Sequence, residues 1–230
     1  MTPATGPAAS AEELAARPFV SCVILAAGAS TRLGRRKQLL ELGGRAVLGH
    51  VLAAAAGSGA DEVILVLGHA TEEILAAVPP PEGVRVVVNP DHAAGQATSL
   101  LAGLRAASPR AAAALVLLGD QPTVRREAIA AVVEAFRREP ERADVIQAAY
   151  AGRPAHPTVL ARRIWVDLAE LRGDDGARSW IDAHPHRRAL VEVGGDPPED
   201  LDTEEDYRRL RTAVDGAGDG AGDDRHRGGE

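Results

Sequence analysis

Residues 25–37 read LAAGASTRLGRRK and couple small side chains to a dense run of cations. Backbone N–H groups that a ligand can approach closely, at Ala26, Ala27 and Gly28, followed by Arg32 and Lys37, are what a nucleoside triphosphate needs. The spacing is not that of a P-loop. Gly28 and Gly34 have five residues between them, and Lys37 lacks an adjoining Gly and a following Ser or Thr. No G-x-G-x-x-G stands in the segment, so it is not a dinucleotide fingerprint either. A glycine beside arginines is by itself an ordinary basic turn. Its place directly after the first apolar run is what favours phosphate binding here.

Other segments carry chemistry with an equally plain alternative. Residues 115–122, LVLLGDQP, end an apolar run in Gly119, Asp120 and a redirecting proline. Asp120 is either a turn aspartate bonding its own backbone or a hard oxygen ligand that holds Mg²⁺ against phosphates. Residues 89–100, NPDHAAGQATSL, present Asn89, Gly95 and Ser99 where a helix opens, as a cap or as an anion site. In residues 150–157, YAGRPAHP, His156 precedes a proline, as many packed loop histidines do. Asp202 lies in residues 200–206, DLDTEED, where with Glu205 it forms a capping-box pattern for the last helix.

The elements that must position these residues alternate along the chain. Residues 20–25, 63–67, 84–88, 114–118, 145–149 and 190–193 are short apolar runs, mostly continuous, as in strands covered on both faces. Between them, residues 47–56, 71–77, 97–107, 125–138, 162–171, 177–184 and 203–213 are rich in helix-forming Ala, Leu, Glu and Arg. This alternation predicts a three-layer α/β/α sandwich, with ligands beyond the carboxyl ends of the strands. One domain is expected over residues 19–213, between a leader (1–18, with one helical turn at 11–16) and a Gly- and Asp-rich tail (214–230), both without fixed structure.

Composition narrows the function. The chain of 230 residues carries 26 basic and 33 acidic side chains, a formal charge of −7, which argues against a nucleic-acid binder. No apolar run reaches the ~18–20 residues that cross a bilayer, and residues 1–10 have no signal-peptide character, so no membrane partner and a cytoplasmic location are expected. A single cysteine, Cys22, excludes an internal disulfide framework.

Taken together, L-A-A-G-x-S-x-R-L-G-x-x-K, the following Leu-Leu-Glu-Leu-Gly-Gly, N-P…G…S-L, G-D-Q-P, Y-x-G-x-x-A-H-P, G-D-D-G-A-R and D-L-D-T-E-E-D resemble the MobA-like nucleotidyltransferases. The likeness is greatest to the molybdenum cofactor cytidylyltransferase branch. It covers about residues 20–210, with Leu33, Ala155, Leu201 and Glu204 departing from the more usual Met, Gly, Ile and Pro. The resemblance implies a Rossmann-like, mostly parallel sheet of the nucleotide-diphospho-sugar transferase type. It also implies Mg²⁺ as cofactor, CTP as the favoured nucleotide and a molybdopterin-type acceptor, with a molybdo-hydroxylase as recipient of the product. By the same resemblance Leu25, Ala26, Ala27, Gly28, Arg32, Lys37, Asn89, Gly95, Ser99 and Asp120 contact the nucleotide. Arg32, Lys37 and Asp120 act in the reaction, His156 touches the acceptor, and Asp120 and Asp202 hold the metal. Rival readings are transfer to a sugar or alditol phosphate, a nicotinamide-dependent oxidoreductase on the same fold, and a non-catalytic pterin-binding partner.

Overall fold

The continuous apolar runs become strands, and all but the two at the sheet edges are covered on both faces. The computed structural model describes residues 17–30 and 33–219, the last five by backbone alone. Arg32, the turn expected at 11–16 and most of the expected leader and tail lie outside the described residues. In chain order the elements are β1 (Phe19–Leu25), a hairpin of β2 (Glu41–Leu42) and β3 (Arg45–Ala46), α1 (Val47–Ala56), β4 (Glu62–Leu67), α2 (Thr71–Ala77) and β5 (Val84–Val88). There follow α3 (Gln96–Ala106), β6 (Ala111–Leu118), α4 (Arg126–Arg138), β7 (Val145–Tyr150) and β8 (Arg153–Ala161). The last described elements are α5 (Trp165–Leu168), α6 (Arg178–Ala183), β9 (Arg188–Glu192) and α7 (Glu204–Asp219).

Seven strands form one sheet in the order β5-β4-β1-β6-β8-β7-β9. All pairings are parallel except the two made by β8, which runs against β6 and β7. Alternate residues of β1 feed different layers. Val20, Cys22 and Ile24 pack with Val51 and Leu52 of α1 and with Val132 and Phe136 of α4. Val23 and Leu25 face the opposite layer, with Leu100 and Leu104 of α3 and Trp180 and Ile181 of α6. The expected three-layer sandwich is therefore present. Cys22 is a core residue, and burial pushes its thiol well above the ordinary range.

Besides the hairpin of β2 and β3, which the pattern did not show, four elements depart from the pattern reading. The strand β6 starts three residues early, because Ala111 and Ala113, helix formers by propensity, are buried between β1 and β8. A whole strand, β8, was hidden by Pro154 and Pro157. It accommodates them beside a register shift, so that His156 and Pro157 fall in a bulge between the Gln147–Thr158 and Ala148–Ala155 pairs. The helix expected at 162–171 is only a 3₁₀ turn plus α5. The Ala169 N–H closes it by donating to both Trp165 O and Val166 O, at 3.2 Å each. The final helix runs on to Asp219, with Val214 packed against Gly43 of the hairpin turn.

The start of α7 also differs from expectation. Its cap is Thr203, not Asp202. The Asp206 N–H donates to Thr203 Oγ1 at 3.2 Å, and Asp206 Oδ2 accepts from the Thr203 N–H at 2.8 Å and the Asp202 N–H at 3.2 Å. This reciprocal box holds Asp206 down to a pKa of about 2, chiefly through the Thr203 side-chain hydrogen bond and then through Arg209. A carboxyl whose pKa is lowered by folding stabilises the fold above its unfolded value, near 4, and loses that contribution as pH falls toward 2. Asp206→Ala should therefore lower the melting temperature by roughly 2–4 °C near neutral pH, as for a lost cap worth about 1 kcal/mol. In thermal unfolding followed by circular dichroism, the gap from wild type should close near pH 2.

Candidate active site

The carboxyl ends of β1, β4, β5 and β6 converge on one edge of the sheet, and β8, being reversed, brings its first half to the same edge. The turn after β6 is set by close packing. The Gly119 N–H donates to Leu25 O at 2.8 Å, and a β-carbon on Gly119 would stand 2.7 Å from the Ala26 methyl. That contact delivers Asp120 beside the loop that follows β1. Lys37 opens a 3₁₀ turn (Lys37–Leu39), and its Nζ donates to Asp120 Oδ2 and, at 3.2 Å, to Asp202 Oδ1. Asp202 reaches this place because its backbone leads into the Thr203 cap, and the Leu201 N–H donates to Asp120 O at 3.1 Å. Lys37 and Asp120 are each about one-sixth exposed, at 16% and 17%. Burial pulls the Lys37 ammonium down, but the two carboxylates more than offset it and hold the pKa above its ordinary value. The lysine is a cation at any pH near neutrality.

Two cavities meet at this point. One, of about 440 Å³, is lined by Leu25, Ala26, Ala27 and Gly28 together with Lys37, Gln38, His92, Gln96, Ser99, Asp120 and Asp174. The other, of about 460 Å³, has an apolar floor that includes Leu100, Val116 and Leu160, and polar walls from Gln121, Gln147, His156, Thr158 and Asp200. Leu25, Gln96 and Asp174 line both. The geometry thus offers room for two ligands side by side, with the Lys37–Asp120 pair on the wall of the first.

Of the residues singled out in sequence, Leu25, Ala26, Ala27, Gly28, Lys37, Ser99 and Asp120 come together around the first cavity, and His156 lies in the second. Asn89 and Gly95 line neither. Asn89 is buried, and its Nδ2 donates to Thr98 Oγ1 at 2.8 Å and Ser99 Oγ at 3.0 Å, fixing the first turn of α3. Gly95 has φ +109°, and a β-carbon there would stand 2.4 Å from Gly173, so it lets the segment carrying Asp174 pack against α3. Asp202 touches Lys37, as above. Burial lowers the His156 pKa, opposed by the Val116 carbonyl and by Asp200 and Asp120, so the imidazole is neutral near pH 7. Asp200, on the wall of the second cavity, is pushed up by partial burial, held back by Gln121 Nε2 donating at 2.9 Å, and pushed up again by Asp120 and Asp202.

Pattern reading passed over Gln38, His92 and Gln96 as site residues. Gln38 directly follows the basic run, and the other two lie within the quoted residues 89–100. An uncharged amide in a helical turn carries no signal of its own. Among the described residues no group of three or more His, Cys, Asp or Glu side chains could hold a metal by itself, and no helix is long and apolar enough to cross a membrane.

Residues 22–189 match the family model for the MobA-like NTP transferase domain. The chain belongs to that family. This MobA-like nucleotidyltransferase is 34% identical over 203 residues to nicotine blue oxidoreductase of Paenarthrobacter nicotinovorans, a match covering 84% of the chain and 97% of the relative. It superposes on Rv0371c of Mycobacterium tuberculosis H37Rv, solved in complex with manganese, with a TM-score of 0.74. The two are 34% identical over 85% of this chain and 100% of the other. A nucleotidyl transferase from Methanothermobacter thermautotroptrophicus superposes with a TM-score of 0.71 at 27% identity, over 86% and 99% of the two chains. The sheet order and layering described above are thus those of a nucleotide-diphospho-sugar transferase fold.

Proposed function

We propose that the chain transfers CMP from CTP to molybdenum-loaded molybdopterin, with release of pyrophosphate. The observation that carries this reading is the Lys37 ammonium, bound to Asp120 and Asp202 on the wall of a cavity built by residues 25–29 and adjoining a second cavity of similar size. In the proposed step a phosphate oxygen of the acceptor forms a bond to the α-phosphorus of the nucleotide. The bond from that phosphorus to the β-phosphate oxygen breaks, and its electron pair leaves on pyrophosphate. An ionised phosphate needs no general base, and burial makes His156 a weak one. Catalysis is then positioning and charge neutralisation.

In this reading the Ala26, Ala27 and Gly28 backbone holds the nucleotide, and Leu25 and Ser99, which also line the first cavity, contact it. Asn89 and Gly95 act through α3 rather than by contact. Lys37, with Arg32, neutralises the pyrophosphate as it departs. His156 contacts the acceptor in the second cavity. Asp120 and Asp202 are hard oxygen donors, a set that suits Mg²⁺ when water and substrate phosphates complete its shell. The mycobacterial relative was solved in complex with manganese, which supports a divalent ion as cofactor. When bound there, the ion would neutralise charge on the reacting phosphates.

The preference for CTP rests on Ala27, which lines the first cavity and is 4% exposed. Its methyl narrows the space beside the backbone and favours the smaller pyrimidine. A blocked base-edge hydrogen bond is worth on the order of 1–3 kcal/mol, so CTP should outpace GTP roughly tenfold in pyrophosphate release with Mg²⁺ and loaded molybdopterin. Equal rates would remove the cytidylyl assignment, and turnover only with a sugar or alditol phosphate would move the acceptor. The likeness to nicotine blue oxidoreductase favours a second reading, a nicotinamide-dependent oxidoreductase. Oxidation of a reduced nicotinamide, with no turnover of any nucleoside triphosphate, would decide for it.

A further inference from the structure

We propose that Gln38 is a positioning residue that turns the loop after β1 into an anion cradle, an inference that rests on the nucleotidyl-transfer reading. Gln38 is 2% exposed, and its Nε2 donates to two carbonyls of that loop, Ala26 O and Gly28 O, each at 3.0 Å. Both neighbours of this nitrogen are carbonyl oxygens, so this end of the carboxamide is the NH₂. The other end, Oε1, accepts from Ser30 Oγ at 3.4 Å, and Ser30 Oγ in turn accepts the Lys37 N–H at 3.2 Å. One buried side chain therefore ties down Ala26, Gly28 and Ser30 and links them to the backbone of Lys37.

The consequence follows from the peptide unit. In a trans peptide the C=O and the next N–H point in opposite directions. With Ala26 O and Gly28 O drawn to Gln38, the N–H groups of Ala27 and Ala29 point away from it. Among the described residues no hydrogen bond takes up the amides of Ala27, Gly28 or Ala29, and these residues line the first cavity. A loop free to rotate would present carbonyl oxygens to the phosphates as readily as amides, and each carbonyl so turned repels an anion. Gln38 removes that alternative before the nucleotide arrives. Neighbouring residues of the 3₁₀ turn divide the work, since Lys37 reaches the carboxylates while Gln38 reaches back under the loop.

Two near-isosteric substitutions test this, Gln38→Met, which has no donor, and Gln38→Glu, which sets an oxygen against the two carbonyls. Both are measured by circular dichroism and by calorimetric titration with CTP and Mg²⁺ far below the melting temperature. The expected result is a folded protein whose CTP dissociation constant rises about tenfold or more, as for a lost hydrogen bond to a charged group. The KM for the acceptor should stay within about threefold, since the second cavity does not include residues 26–30. A merely structural glutamine would lower the melting temperature and leave the CTP affinity of the folded protein unchanged. Unchanged affinity in either folded variant overturns the proposal, and so does failure of both to fold. If the wild-type protein itself binds neither CTP nor GTP, the nucleotidyl-transfer reading has failed, and this inference falls with it.

Discussion

Asp120→Ala is expected to abolish metal-dependent pyrophosphate release while leaving the protein folded. The side chain lies at the sheet edge, beyond the last residue of β6, and only its carboxylate is removed. The backbone bonds that hold the turn, from Gly119 to Leu25 and from Leu201 to Asp120, do not involve that side chain. Its loss takes away one of the two hard oxygen donors facing Lys37, and misplacing a metal in a phosphoryl-group transition state costs several kcal/mol of barrier. Since each 1.36 kcal/mol is tenfold in rate, turnover should fall by about a thousandfold or more. The check is a pyrophosphate-release assay beside a thermal melt. A variant that melts and turns over like wild type would remove Asp120 from the reaction.

Lys37→Met should also lower turnover strongly, while having the opposite effect on metal binding. The ammonium sits on the same two carboxylates proposed to take the divalent ion, so in the absence of nucleotide it competes with that ion for them. Removing it takes away the ammonium that Asp120 and Asp202 share, so the two carboxylates repel one another more strongly, and a divalent cation relieves that repulsion. Mn²⁺ alone, followed by its electron paramagnetic resonance signal, should therefore bind more tightly to the variant than to wild type. Catalysis should still drop about a hundredfold or more, because the group proposed to neutralise the departing pyrophosphate is gone. Weaker Mn²⁺ binding in the variant would show that Lys37 and the metal do not share these carboxylates.

Much of this molecule is written locally. The runs that became β1, β4 and β7 could be read because strands buried on both faces need continuous apolar sequence. Two helices, Val47–Ala56 and Thr71–Ala77, fall where the pattern puts them, because each presents a buried face to the sheet. The loop at residues 25–37 and the Gly-Asp-Gln-Pro turn stand out in sequence because their charged residues directly follow apolar runs, and it is the family resemblance that proposes phosphate and metal chemistry for them.

Other features depended on partners far away in sequence. Lys37 and Asp202 are 165 residues apart, and no local pattern says that one ammonium will gather both carboxylates. Whether Asp202 or its neighbour capped α7 was settled by the geometry of the Thr203–Asp206 box. The strand β8 could not be seen, because its two prolines lower strand propensity. Only pairing with β6 on one side and β7 on the other makes the segment extended, and its reversal sets His156 at the ligand edge. Gln38 was silent for a related reason. Local sequence determines which groups are charged and which runs must be buried, because those properties belong to single residues and their spacing. The direction of a neutral carboxamide is decided only when the folded chain sets two carbonyls within its reach, because a hydrogen bond needs both partners in place.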